Sequence, residues 1–249
     1  MFTPAEAVST VFNPKDKIIV ALDVENASKA LEIARELDGR VGGFKIGLQL
    51  FTSEGPRFVR EMTESGAKIF LDLKFHDIPN TVAKAAVAAA KLGVWMFNVH
   101  ASGGGEMMRR TVAEVGEACE KEGRQRPLMI AVTVLTSSNN ETLSEVGAGA
   151  DVEGQVGLLA KLAEKSGMDG VVASAMEVGV IRREVLNPSF LTVTPGIRPN
   201  LATLDDQKRV TTLGQALAMG SDYVVIGRPI TQAKDRVAAV EEILREVQS

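Results

Sequence analysis

The stretch that decides the fold is Ile69–Val82, IFLDLKFHDIPNTV. It opens as an apolar run, closes that run with Asp72-Leu73-Lys74, and passes at Pro79 into an alanine-rich segment that reads as a helix to Leu92. Strand side chains alternate, so Asp72 and Lys74 share one face at the end of a strand that should otherwise be buried. Buried charges persist only when paired and hydrogen-bonded. Asp77 follows three residues later. Two acids and a base packed this closely read as a site, and the site lies where a strand hands over to a helix.

The same strand-then-helix unit recurs on both sides. Upstream, residues 3–12 read as a short helix with Pro4 near its start. Lys17–Asp23 is an apolar run ending in an acid, and Ala27–Leu37 has helical spacing with Asn26 or Ser28 as cap. Gly43–Leu48 is a second strand and Glu54–Ser65 a helix. Downstream, strands are expected at Trp95–His100, Leu128–Leu135, Gly170–Ala173, Phe190–Thr194 and Tyr223–Gly227. Helices are expected at Glu106–Glu122, near Glu141–Val146, and at Glu153–Ser166, Ala175–Glu184, Thr211–Met219 and Ala233–Val247.

Counting Ala67–Lys74, eight apolar strands are each followed by a helix. Continuous apolar runs, rather than alternation, mark strands covered on both faces, as in a parallel sheet. Eight units in this length fit an α/β fold of the (β/α)₈ TIM-barrel type. A doubly wound sheet is the rival, but it usually has fewer strands and a glycine-rich turn after the first, where this chain has Asp23-Val24-Glu25-Asn26. No linker or shift in composition interrupts the pattern, so residues 1–249 are read as a single barrel domain with the short helix at about 3–12 in front.

Composition narrows the function classes. The chain has 249 residues, 45% of them apolar and 24% charged, which suits a folded domain rather than a disordered one. A formal net charge of −4 without a basic block argues against a nucleic-acid binder. No apolar run approaches the ~20 residues of a membrane span, and the N-terminus lacks the apolar core of a signal peptide. A cytoplasmic location is expected. The one cysteine, Cys119, is read as a buried, inert thiol.

In such a barrel the site lies at the C-terminal ends of the strands. Those ends carry Asp23, Lys45, Asp72 and Lys74, then Asn98 and His100, then Thr136 and Ser137. Strand seven runs into Thr194-Pro195-Gly196-Ile197-Arg198 and strand eight into Gly227-Arg228-Pro229. The loop from Pro195 to about Asp206 is long enough to read as a lid, with Gln207 at its far edge. Loops seven and eight are where many barrels bind phosphate. His76 and His100 lack metal-ligand spacing and are read as structural, so no metal is assigned.

The string Asp72-Leu73-Lys74-Phe75-His76-Asp77-Ile78-Pro79-Asn80-Thr81 closely resembles the signature of the orotidine 5′-monophosphate decarboxylase family. ALDV (21–24), FKIG (44–47), VTVLTS (132–137), TPGIRP (194–199) and IGRPI (226–230) also occur in that family's order. The resemblance implies a barrel that converts orotidine 5′-monophosphate to UMP and CO₂, the last step of de novo UMP synthesis, with no metal or organic cofactor. It implies a homodimer with sites at the interface. Lys74 would be the general acid in a charged chain of Lys45, Asp72 and Lys74, completed by the partner subunit's Asp77. Asp23 and Lys45 would hold the ribose hydroxyls, joined by the partner's Ile78 and the partner's Thr81. Thr136, helped by Ser137, would meet the pyrimidine. Arg198, Gln207, Gly227 and Arg228 would grip the phosphate. Two other readings stand beside it: a Mg²⁺-dependent sugar-phosphate decarboxylase or synthase of the same superfamily, and a non-catalytic nucleotide-binding barrel.

Overall fold

In the computed structural model, which describes residues 13–199 and 211–247, eight parallel strands pair in chain order and the last returns to the first, closing a barrel. The strands are β1 (Ile18–Ala21), β2 (Gly43–Gly47), β3 (Ile69–Phe75), β4 (Met96–His100), β5 (Leu128–Val132), β6 (Gly170–Val172), β7 (Leu191–Pro195) and β8 (Tyr223–Ile226). The helices between them are α1 (Ala27–Glu36), α2 (Leu48–Glu64), α3 (Pro79–Lys91), α4 (Gly104–Lys121), α5 (Asn140–Glu145), α6 (Val152–Lys165), α7 (Val178–Glu184) and α8 (Leu213–Ala218). After β8 come the short α9 (Arg228–Thr231) and the final α10 (Arg236–Arg245). Among the described residues no helix is long and apolar enough to cross a membrane.

Two apolar layers account for the continuous hydrophobic runs. Ile18, Val20 and Leu22 pack outward with the helices, in one cluster with residues such as Ile33, Val59 and Ala86. Their neighbours Ile19 and Ala21 turn the other way and meet Phe70, Met96, Ile130, Val193 and Val225 inside the barrel. Both faces of each strand are thus dry, which is why the period-2 pattern of a half-exposed sheet is absent. Inside, every second residue continues upward: Phe70 is followed by Asp72, Met96 by Asn98, and Ala21 by Asp23. The inner face therefore changes from apolar to charged at the C-terminal rim, and the site is built there.

Several boundaries differ from the sequence reading for identifiable reasons. The helix expected at Glu54–Ser65 begins at Leu48 and is broken at Gly55, whose φ of 71° only glycine adopts without strain; Pro56 then opens the second part. Asn26, not Ser28, caps α1, accepting the Lys29 N–H at 3.0 Å. The last helix begins at Arg236 rather than Ala233 because Asp235 caps it, and the short α9 precedes it. Strand five ends at Val132, short of the expected Leu135. The helix read at 3–12 lies outside the described residues.

Candidate active site

At the rim of β1 to β3, charges of alternating sign form one connected row. Lys45 Nζ stands 3.0 Å from Asp23 Oδ1 and 3.3 Å from Asp72 Oδ2. Lys74 Nζ donates to Asp72 Oδ1 at 2.6 Å. Lys45 and Asp72 are each only 8% exposed, whereas Asp23 at the end of the row faces solvent. Burial pulls the Lys45 ammonium toward neutrality, but the charges of Asp72 and Asp23 and their hydrogen bonds hold its pKa above the ordinary lysine value. Burial likewise raises the Asp72 carboxyl, and the charges of Lys45 and Lys74, with hydrogen bonds from Lys74 and Asn98, bring it below the ordinary value.

These directions predict a stability effect. Asp72→Ala leaves two lysines facing a buried gap, and is expected to cost about 3 kcal/mol near neutral pH in denaturant unfolding. A carboxyl whose folded pKa is lowered contributes stability that is present above ~4 and lost as pH falls through the folded value. The difference between the wild type and Asp72→Ala should therefore shrink on acidification. A gap that stays constant from neutral to acid pH would contradict this account of Asp72.

The end of β3 is not a regular strand. Leu71 pairs with Phe97 and Phe75 with Val99, so four steps along β3 match two along β4. Lys74, within this bulge, has φ 52°, the one positive value among the described non-glycine residues. A left-handed backbone at a non-glycine residue costs roughly 1–2 kcal/mol and tends to occur where function requires it. Here it turns the Lys74 side chain back onto Asp72. Gly47, at the end of β2, has a related part. A Cβ there would lie 3.0 Å from Lys45 Nζ and 3.3 Å from Asp23 Oδ1, so a side chain would press on the Lys45–Asp23 pair.

The row faces a cleft of about 150 Å³, lined by Lys45, Asp72, Lys74 and Thr136 on its polar side and by apolar residues including Phe70, Val132 and Val172 on the other. Of the residues expected at the site, those four line the cleft, and Asp23 joins through Lys45. Ser137 is exposed and does not line it. Gly227 sits at the barrel rim beside β1, its Cβ position 4.0 Å from Asp23 Oδ2, and Arg228 opens α9 directly after it. Arg198 is half-buried, and its N–H donates to Thr211 O at 2.9 Å, which ties together the two ends of the loop after β7. Gln207 lies outside the described residues. Asp77, Ile78 and Thr81 are exposed. Asp77 accepts the N–H of its neighbour Ile78 at 2.6 Å, and among the described residues of this chain no ion pair joins it to Lys74.

Two features carry more of the site than the sequence suggested. Asn98 stood out only as a polar strand end, yet it is fully buried and touches both Asp72 and Lys74. Gly47 is the glycine of FKIG, and only its distance to Lys45 reveals its part. The two histidine rings lie side by side at a tilt of 39°, with centroids 5.4 Å apart. Burial first, and then the neighbouring His76 and Lys74, push the His100 imidazole below its usual pKa. Among the described residues no three His, Cys, Asp or Glu side chains group as metal ligands would.

Fold and site together define a class: a (β/α)₈-barrel enzyme whose centre is a buried carboxylate held between two lysines. The chain belongs to the Orotidine 5'-phosphate decarboxylase / HUMPS family, whose sequence profile matches residues 16–243. It is 53% identical over 235 residues to an orotidine 5'-phosphate decarboxylase of Geobacter sulfurreducens, covering 94% of this chain and 96% of that one. It is 52% identical over 233 residues to one of Syntrophotalea carbinolica, covering 94% and 95%. Among solved structures, the orotidine 5'-phosphate decarboxylase of Lactobacillus acidophilus superposes with a TM-score of 0.80 at 40% identity, over 93% of this chain and 99% of that one.

Proposed function

We propose that this protein decarboxylates orotidine 5′-monophosphate to UMP and CO₂, in the cytoplasm and as a homodimer. One observation carries the reading: the unbroken row Asp23–Lys45–Asp72–Lys74 at the mouth of an apolar cleft, in a chain half identical to proteins of that name. A nucleotide-binding barrel without catalysis has no use for a lysine held against a buried acid.

The chemistry fits the row. The bond from C6 of the pyrimidine to the carboxylate carbon breaks, its electron pair stays on C6, and neutral CO₂ leaves. That pair lies in the ring plane, where the π system cannot delocalise it. A cation beside C6 is therefore the main source of stabilisation, and the same cation can supply the proton that completes UMP. Lys74 can do both. An ammonium ion suits this role and disfavours a Schiff-base mechanism, which needs the free amine.

Repulsion between Asp72 and the substrate carboxylate is the competing explanation. Two unit charges ~4 Å apart cost about 4 kcal/mol at an effective dielectric of 20. Asp72, however, has a lysine on each side, so within one chain the row from Asp23 to Lys74 sums to zero and the repulsion from Asp72 is partly offset. Stabilisation of the carbanion by Lys74 outweighs what remains of it. Asp23 and Lys45 would hold the ribose, Thr136 with Ser137 the base, and Arg198, Gln207, Gly227 and Arg228 the phosphate. Asp77, Ile78 and Thr81, which among the described residues make no ion pair or hydrogen bond with their own Lys74 side chain, would serve the neighbouring subunit.

An ultraviolet assay with orotidine 5′-monophosphate tests the assignment directly. Turnover that persists in EDTA is expected. No turnover would end the decarboxylase reading, and turnover abolished by EDTA would return the Mg²⁺-dependent alternative. The phosphate grip has its own consequence. Binding energy taken from the remote phosphate offsets the cost of orienting and desolvating the reacting carbon. Arg228→Ala should therefore lower kcat/KM by roughly 10³-fold although it touches no reacting atom. Near-normal kinetics would remove Arg228 from the site.

A further inference from the structure

Asn98 lies on β4 beside the bulge at the end of β3. It is fully buried. Its Nδ2 donates to Asp72 Oδ1 at 2.7 Å, and its Oδ1 accepts the Lys74 backbone N–H at 2.8 Å. The orientation of the amide follows from its partners. A backbone N–H can only donate, so the oxygen must face Lys74; an ionised carboxylate can only accept, so the NH₂ must face Asp72.

The bulge explains why such a residue is needed. Between Leu71 and Phe75 the ladder to β4 is interrupted, and a buried N–H without a partner is costly. The Asn98 side chain supplies the acceptor that the neighbouring strand does not. The same planar group then reaches the carboxylate that holds Lys74 Nζ. One amide thus touches the lysine at its backbone and, through Asp72, at its charged end.

We propose that Asn98 is a positioning residue for the decarboxylation assigned above: it holds Lys74 in its left-handed turn and presents Asp72 as an acceptor, so that Lys74 Nζ is aimed into the cleft. The role needs an acceptor and a donor on one short planar side chain. Leucine has the shape and neither group. Aspartate has the shape and the acceptor but lacks the donor, and that difference makes the proposal testable.

In Asn98→Asp, two carboxylate oxygens would face each other at the former hydrogen-bond distance. They cannot both ionise, and one shared proton restores the missing donor. The variant should therefore be active only with that extra proton bound. Its kcat relative to wild type is expected to fall about tenfold per pH unit on the alkaline side, and to recover toward acid pH. Asn98→Ser, too short to bridge, should lose roughly 100-fold in kcat with little change in KM. A merely structural asparagine would alter thermal unfolding but leave the kcat of the folded variants parallel to wild type at every pH.

The wild type is assayed first with orotidine 5′-monophosphate. An inactive wild type overturns the decarboxylase assignment itself. An active wild type with an Asn98→Asp pH profile parallel to its own, or an Asn98→Ser kcat within about threefold of normal, overturns only the role of Asn98. Should neither variant fold, hydrogen exchange in the wild type decides. The Lys74 amide is expected to exchange as slowly as the barrel core, and rapid exchange removes the clamp.

Discussion

Lys74→Ala should bind UMP much as the wild type does and decarboxylate orotidine 5′-monophosphate roughly 10⁴-fold more slowly or worse. General-acid catalysis alone contributes about 10²–10⁴-fold, and electrostatic stabilisation of the carbanion adds to it. Both are assigned to the same Nζ in the proposed mechanism. The fold should survive the change. Asp72 keeps Lys45 at 3.3 Å and the Asn98 amide at 2.7 Å, and alanine leaves the Asn98–backbone hydrogen bond in place. Binding should survive as well, since the ribose and phosphate contacts are assigned to other residues. The measurements are product affinity by calorimetry and single-turnover decarboxylation. A Lys74→Ala protein that still turns over within tenfold of wild type would remove Lys74 as the acid.

The second large effect concerns Asp77. Among the described residues of its own chain this carboxylate accepts the Ile78 N–H and makes no ion pair, and the Ile78 side chain beside it is 67% exposed. An apolar side chain so exposed, next to an acid that forms no ion pair with Lys74 of its own chain, suits a segment that completes a neighbour's site. Asp77→Ala should therefore be nearly inactive as a pure homodimer. Mixed with the equally inactive Lys74→Ala protein and allowed to exchange subunits, it should regain activity. In a two-fold dimer with a shared site, a mixed pair places both lesions in one site and leaves the other intact, so random exchange at equal ratio restores about a quarter of wild-type activity. Recovery would be absent if each chain used its own Asp77. Verified subunit exchange without any recovery would therefore undo the shared site.

The fold was largely legible because a barrel strand is dry on both faces. That requirement forces the uninterrupted apolar runs at Ile18–Ala21, Ile69–Leu71 and Leu128–Val132, and the order of runs and helical segments then leaves few topologies. Boundaries were less legible where one backbone group decided them, as at Gly55 inside α2 and Asp235 before α10. At the site, Asp23, Lys45, Asp72 and Lys74 were readable because a charge closing an apolar run needs a partner. Asn98 was not, since a neutral amide at a strand end does not reveal what it touches.

What the sequence determined by itself was a list: eight strands in order and, at their ends, acids and lysines that had to be paired somewhere. The tertiary structure decided the pairings. Closing the barrel set β2 beside β3 in the register Lys45↔Phe70, and that placed two lysines on one carboxylate. The interrupted ladder between β3 and β4 turned the Lys74 backbone left-handed, and only there did Asn98 acquire both its partners. The physical reason is one of range. Burial preference and strand period act within a few residues and are written locally, whereas a hydrogen bond between residues 72 and 98 exists only once two strands distant in sequence lie side by side.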